Sequence, residues 1–393
     1  MPQVKPEVET FARIKVVGVG GSGSNAIDHM INTKVRGVEF IAINTDAQDL
    51  HTSLAKKKIH IGKNLTKGLG AGMNPEIGKR AIEETKEEVQ EAMKNADMVF
   101  ITCGLGGGTG SGASSVAAQV AKEIGALTVG VVTKPFFFEG RQRSKIAENA
   151  LDELRKEVDA IIVIPNDRLL SNISKETTAE NAFAMCDDVL KQAVEGISDL
   201  ITTPGIINID FADVRAILKE SGSALMGVGI ASGEKRAEEA AKMAINSPLL
   251  DLSVNGARGV LFSIAGGSDL TMFEIQEAAK IITESMDPDA KVIFGTVKDE
   301  KLKKGDVRVT IIASGFPEST SNKKSLFGNV IQNRIEEEVK EETTSGKIFN
   351  SLGITRKEEA VKEEVKEEVK PAASDDDDEW GAVPAFLRRS KIK

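Results

Sequence analysis

The chain has 393 residues and a formal net charge of −9, from 51 basic and 60 acidic side chains. That balance argues against an electrostatic nucleic-acid footprint. Hydrophobic residues make up 40%, enough for a packed body of two or three domains, while aromatics at 4% require an aliphatic core. Two cysteines, Cys103 and Cys186, exclude a disulfide framework or a cysteine-based zinc site and fit a reduced cytoplasmic protein.

Met1–Thr10 is polar and lacks the apolar run of a secretion signal. From Phe11 to Phe316 apolar runs and glycines alternate, as a packed α/β body requires. Ile14–Val19, Glu39–Asn44, Met98–Thr102, Leu127–Val132 and Ala160–Pro165 are short and almost continuously apolar, which predicts strands covered on both faces of a parallel sheet. Pro75–Ala96 and Gly140–Val158 read as intervening helices, giving a doubly wound sheet. The charge-free stretch Met98–Ala121 could span a bilayer by length, but its six glycines favour a buried strand followed by a loop. A long helix over Thr178–Thr202 is stopped by Pro204 and Gly205. It leads into a second α/β unit with strands at Ala224–Gly229, Gly259–Gly266, Lys291–Val297 and Val307–Ser314, and helices at Lys235–Asn246 and Thr271–Met286. Beyond Pro317 bulky apolar residues thin out and Lys357–Lys370 repeats with a period near four, which predicts a solvated linker. The expected organisation is a disordered extension (1–10), a first domain (11–177), a central helix (178–202), a second α/β domain (203–316), a disordered charged linker (317–379) and an apolar, basic docking peptide (380–393).

Two glycine clusters carry the chemistry. In the first, GVGGSGSNA, Gly18, Gly20 and Gly23 fit the dinucleotide fingerprint, with Asp46 placed as a ribose-binding acid. Alone it would point to a nicotinamide-dependent oxidoreductase. The second, GLGGGTGSG at Gly104–Gly112, places six glycines in nine residues, again between a strand and a helix. Such a run exposes a concave row of backbone N–H groups, an anion nest. Two nests at neighbouring strand ends suit a triphosphate held from both sides, and neither has the spacing of a P-loop.

These loops, with KPFFFEG at Lys134–Gly140 and NIDFADV at Asn208–Val214, resemble the FtsZ family of bacterial, tubulin-like cell-division GTPases. The resemblance covers Phe11 to Phe316, and the terminal VPAFLRR is similar to that family's docking peptide. Ser22 stands where the family often has glycine, and Ser114–Ser115 replace a usual Ala-Pro. The resemblance implies a tubulin-like fold: a Rossmann-type GTP-binding domain joined by the long helix to a second α/β domain. It places Gly20, Gly21, Ser22, Gly23, Ser24 and Asn25, with Gly106, Gly107, Gly108, Thr109 and Gly110, on the phosphates of GTP. Ala71 and Gly72 would cover the γ-phosphate end, Glu139 and Arg143 would meet the ribose, and Asn166, Phe183 and Asp187 the guanine. A carboxylate at Asp187 would accept from guanine N1–H and the 2-amino group, a donor pair adenine lacks. Mg²⁺ is expected on phosphate and water rather than on side-chain ligands. Implied partners are further copies of the chain, head to tail, and membrane-associated division proteins bound through Pro384, Phe386, Leu387, Arg388 and Arg389. The implied location is cytoplasmic, at the division site inside the cell membrane.

Asn208, Asp210 and Asp213 form a second polar constellation, readable as helix capping or as catalysis. The 15 residues from Asp187 to Thr202 span roughly 22 Å of helix at 1.5 Å per residue. These acids therefore lie far from their own base site, and if they act on nucleotide they act on a neighbour's. The expected activity is GTP hydrolysis at a junction between subunits.

Overall fold

The structure, a computed structural model, describes residues 12–170, 177–247, 256–299, 302, 303 and 305–316. The first half runs β1 (Ile14–Val19), α1 (Gly20–Asn32), β2 (Val38–Asn44), α2 (Ala47–Thr52), β3 (Lys57–His60), α3 (Lys63–Thr66), α4 (Pro75–Glu83) and α5 (Lys86–Met93). It continues through β4 (Met98–Gly104), α6 (Thr109–Glu123), β5 (Leu127–Lys134), a 3-10 turn (Phe137–Glu139), α7 (Arg141–Glu157), β6 (Ala160–Pro165) and α8 (Asn166–Leu170). The long helix α9 (Ala179–Thr202) leads into α10 (Phe211–Leu218), β7 (Gly222–Ser232), α11 (Arg236–Ile245), β8 (Gly259–Gly266), α12 (Met272–Glu284), β9 (Lys291–Lys298) and β10 (Asp306–Ser314). The expected 1–10 extension, 317–379 linker and 380–393 peptide, with Pro384, Phe386, Leu387, Arg388 and Arg389, lie outside the described residues.

Among the described residues the ten strands form one sheet in the order β3-β2-β1-β4-β5-β6-β7-β10-β8-β9. From β3 to β7 every pair is parallel, and β10 runs antiparallel between β7 and β8. The two predicted α/β units thus share a sheet, joined where Ala160, Ile161 and Ile162 pair with Gly222, Ser223 and Ala224.

Alternate residues of each central strand feed two cores. Ile14, Val16, Met98, Phe100, Val129 and Val131 face one layer, while Val17, Val19, Val99, Ile101, Cys103 and Val132 face the other. This two-sided burial is why those strands read as continuous apolar runs. Helix α9 covers the first layer with Leu190, Ala193, Val194 and Ile197, in a cluster that also takes in Met226, Leu261 and Ile312 of the second half. The central helix is therefore a core element of both halves as well as a connector. A third core, beneath α11 and α12, unites Ala240, Ile275 and Ile282 with Val260, Val309 and Ile311.

The strand order reverses between β1 and β4. From their carboxyl ends α1 turns to one face, burying Ala26, Ile27 and Met30, while α6 turns to the other, burying Val116, Ala117 and Val120. The divergence opens a crevice at the switch point, where doubly wound sheets bind ligands.

Candidate functional site: a nucleotide cleft

A cleft of about 480 Å³ occupies that crevice. The structure brings into its lining Gly20, Gly21, Ser22 and Asn25 of α1, Gly72, and Gly107, Gly108, Thr109 and Gly110 at the start of α6. Glu139, Arg143, Asn166, Phe183 and Asp187 complete it from the opposite side.

Neither α1 nor α6 has a side-chain cap or an acidic residue in its first turn, whereas Asp46, Asn74, Thr178, Asp210 and Thr271 cap other helices. A helix leaves its first N–H groups without internal partners and carries partial positive charge at that end. Two uncapped ends converging on one cleft make a site for an anion with several acceptor oxygens.

The glycines divide by role. Gly18 and Gly23 lie outside the lining and let α1 sit directly on β1 and β4, since a Cβ on Gly23 would come within 2.6 Å of the Thr102 carbonyl oxygen and 2.8 Å of the Gly18 carbonyl carbon. Gly20, at φ +73°, has Gly110 N 2.9 Å from where its Cβ would be, so the two loops interlock. A Cβ on Gly108 would run into the Gly72 carbonyl oxygen, which places the Ala71–Gly72 loop over the second nest. Gly107 alone of that run faces open space. Ser24 and Ala71 are buried behind the lining, and Gly106 donates its N–H to Ser111 Oγ at 2.9 Å. The Thr109 hydroxyl, expected on phosphate, is hydrogen bonded to Thr45 Oγ1 at 2.6 Å.

At the other end Glu139 accepts from Arg143 Nη1 at 2.6 Å and from the Phe136 N–H at 2.9 Å, fixing the 3-10 turn beside the cleft. Asn166 is 6% exposed, yet its Oδ1 has no hydrogen-bond partner. A buried amide oxygen without a partner costs about 1–3 kcal/mol, so an incoming donor at this place is favoured. Phe183 is 47% exposed and packs edge-on against Phe136 with ring centroids 5.3 Å apart, leaving a face for a planar ligand. One turn along, burial pushes the Asp187 carboxyl up to about 6, against the pull of His29. Burial also pushes the thiols of Cys103 and Cys186 up to about 12, so both stay unreactive, although Cys186 lines the cleft.

Val19, Gly104 and Leu105, which lie within the two clusters without an assigned contact, also line the cleft, as do Thr133 and Pro135, which sequence reading did not include. Thr133 and Pro135 follow from topology, because β5 ends beside β4 at the same edge of the crevice. Asp46, the ribose acid of the oxidoreductase alternative, instead caps α2, accepting from Gln48 N at 2.9 Å and Asp49 N at 3.2 Å.

Asn208, Asp210 and Asp213 are outside the cleft, beyond the far end of α9, with both acids exposed. Asp210 caps α10 through Ala212 N at 3.4 Å, and Asp213 lies in that helix's first turn. The loop before them is pinned to β9, with Ile206 and Ile207 both donating to Thr296 Oγ1 at 2.9 and 2.8 Å. The Asn208 side chain accepts from Gly205 N at 2.7 Å, holding the turn that presents the acids.

The pattern of the Tubulin/FtsZ family GTPase domain matches residues 13–174, and that of the FtsZ family C-terminal domain matches residues 222–317. An FtsZ dimer from M. jannaschii is 47% identical, with a TM-score of 0.75 over 78% of this chain and 89% of its own. The chain belongs to the FtsZ family. A tryptophan-to-tyrosine mutant of the M. jannaschii FtsZ aligns with the same identity and score, over 78% of this chain and 92% of its own. At 21% identity, CetZ2 from Haloferax volcanii shares the fold, with a TM-score of 0.66 over 84% of this chain and 100% of its own. Membership makes the chain a GTPase with the tubulin-like fold expected from its sequence. Among the described residues no helix is long and apolar enough to cross a membrane.

Proposed function

We propose that the chain assembles head to tail and hydrolyses GTP at the junction, the acidic loop of one subunit completing the cleft of the next. The observation that carries this reading is the separation of the parts. Asn208, Asp210 and Asp213 follow one end of α9, with Phe183 and Asp187 one turn apart near the other. Roughly 22 Å of helix intervenes. A self-complementary pair cannot join two different surfaces in this way, and repeated head-to-tail contact extends into a filament. Exposed Leu69 and Phe137 beside the cleft, and Ile206 in the acidic loop, would supply apolar contact at the junction. The M. jannaschii FtsZ has itself been seen as a dimer.

In this mechanism Gly20, Gly21, Ser22 and Asn25, with Gly107–Gly110, hold the phosphates, Ala71 and Gly72 cover the terminal one, and Glu139 and Arg143 orient the ribose. Phe183 stacks on guanine while Asp187 and Asn166 read its edge. Asp210 and Asp213 of the following subunit align the attacking water, assisted by Asn208. Aligned water suffices for a loose phosphoryl-transfer transition state. Mg²⁺ fits as a phosphate- and water-held ion, because the cleft offers oxygen donors mainly from the nucleotide itself; when bound, it would offset charge on the phosphates. Residues 11–177, 178–202 and 203–316 act as GTP-binding domain, central helix and activation domain. The assembled protein forms a division ring on the inner face of the cell membrane, tethered to membrane-associated proteins by Pro384, Phe386, Leu387, Arg388 and Arg389.

The test is GTP turnover per chain against protein concentration. Turnover should rise steeply and level off as filaments form. Asp213→Ala should bind GTP normally without turnover. Mixing it with Gly107→Leu, whose cradle is blocked but whose acidic loop is intact, should restore activity. Turnover independent of concentration in dilute, monomeric protein would refute the shared site.

A further inference from the structure

The acidic loop is fastened to two consecutive residues of β9. Gly205 and Ile207 are half-buried and Ile209 is buried, while Ile206, Asn208 and Asp210 between them are exposed. A Cβ on Gly205 would run into the Thr296 carbonyl oxygen, and one on Gly295 would lie 2.8 Å from Ile209 Cδ1, so loop and strand meet closely. At the centre of this contact Thr296 is 3% exposed. Its N–H donates to the Ile207 carbonyl at 3.0 Å. Its Oγ1 accepts from the N–H groups of both Ile206 and Ile207, at 2.9 and 2.8 Å. A hydroxyl oxygen has two lone pairs, and these two bonds use both. Strand β9 is in turn paired with β8 from Gly259↔Lys291 to Gly266↔Lys298, and every residue of β8 is buried. The anchor therefore belongs to the core, although the loop it holds is at the surface.

We propose that Thr296 is a positioning residue for GTP hydrolysis: its hydroxyl oxygen holds the backbone just before Asn208 and so sets where Asp210 and Asp213 stand when a neighbour's nucleotide meets them. This rests on the shared-site reading of the acidic loop. Stabilising the fold is a poor account of the contact. Ile206 is 71% exposed, so fixing its N–H buries little of its side chain. Asn208 closes the turn by itself, accepting from Gly205 N, and Asp210 caps α10. The loop thus has its local shape without Thr296. What the hydroxyl adds is the placing of that shape against β9, and through it against the sheet whose other half carries the cleft. A misplacement of about 1 Å costs a reaction about a hundredfold in rate, so one oxygen acting on two adjacent amides is a strong lever.

The experiment compares full-length wild type with Thr296→Val, Thr296→Ser and Thr296→Cys. Valine keeps the branched shape without an acceptor, serine keeps the acceptor, and cysteine differs from serine in one atom, a weak acceptor. Turnover per chain above the filament threshold should fall about tenfold or more in Thr296→Val, with GTP affinity of the dilute protein unchanged. Thr296→Ser should keep wild-type turnover, and Thr296→Cys should lose most of it. Amide exchange should quicken at Ile206 and Ile207 in the valine and cysteine variants alone. Mixing Thr296→Val with Gly107→Leu, whose acidic loop is intact, should restore turnover, whereas mixing it with Asp213→Ala should not. Wild-type turnover in Thr296→Val, or equal turnover in the serine and cysteine variants, would overturn the proposal; the latter pair decides it even where the valine variant does not fold. Loss of GTP binding together with turnover, unrescued by Gly107→Leu, would mark Thr296 as merely structural and overturn it too. Full turnover in Asp213→Ala alone would instead overturn the shared-site reading and this proposal together.

Discussion

Asp187 should weaken the very fold that it equips for recognition. Its folded-state pKa of about 6 lies above the ordinary 3.8, with burial the main cause. Ionisation therefore opposes folding. The penalty is absent below the unfolded value, grows as pH rises through the interval, and is complete above the folded value. Two pKa units correspond to about 3 kcal/mol, which partial exposure reduces to about 1–2 kcal/mol. Asp187→Asn keeps the shape and removes the charge, so the nucleotide-free variant should be about 1–2 kcal/mol more stable than wild type at pH 7.5. At pH 4 the wild-type carboxyl is protonated, and most of the difference should vanish. The assay is urea unfolding of nucleotide-free full-length protein at both pH values, followed by GTP titration. GTP should bind the variant at least tenfold more weakly, because one or two charge-assisted hydrogen bonds are lost. Equal stability of the two proteins at pH 7.5, or an equal gain at both pH values, would refute the reasoning.

The two adjacent nest glycines should separate folding from binding. Gly107→Ala places its Cβ in open space, so its melting temperature should hold while GTP affinity falls. Gly108→Ala meets the Gly72 carbonyl oxygen and should lower both; equal melting losses in the two variants would contradict this division. Arg236, whose side chain is 9% exposed, bridges Asp269 and Glu274 at 2.6 Å each, so Arg236→Met removes the cation both carboxylates share and should cost about 2–4 kcal/mol in urea unfolding. Gly205→Ala would drive a Cβ into the Thr296 carbonyl oxygen and displace the acidic loop, so turnover should drop while GTP affinity in a filter-binding assay stays unchanged.

Legibility followed burial. Ile14–Val19, Ala160–Pro165 and Gly259–Gly266 were readable to the residue because layers on both faces force continuous apolar runs. Edge strand β3 escaped because it has one strand neighbour and carries lysines, the usual protection of an edge. The span Pro75–Ala96 read as one helix but breaks at Thr85 (φ −124°, ψ 22°), with no proline or glycine there to announce it. Both glycine clusters were legible as parts of a binding cleft, yet their internal division was not. Gly23 serves packing and Gly107 faces the cleft, a difference set by neighbours on other elements. Thr109 looked free for phosphate because its partner, Thr45, lies 64 residues earlier in the chain.

The central helix explains why the two halves of the proposed catalytic site remain apart. Its early turns carry Phe183 and Asp187 into the cleft, and its last residue is Thr202, after which the chain turns into the acidic loop. Between them, Leu190, Ala193, Val194 and Ile197 are sealed in a core that draws on strands from both sides of the β6–β7 junction. Close packing of this kind resists axial sliding, because displaced side chains would open voids or collide. At the lower end a Cβ on Gly37 would lie 2.8 Å from Thr202 Cβ, so the loop after α1 abuts the helix terminus. At the upper end His29 meets Asp188. The cleft-facing and acidic ends are therefore set at a fixed separation by the same residues that stabilise the fold. A rigid spacer suits a reaction whose geometry is completed by a second copy, because each added subunit then meets an identically spaced pair of half-sites.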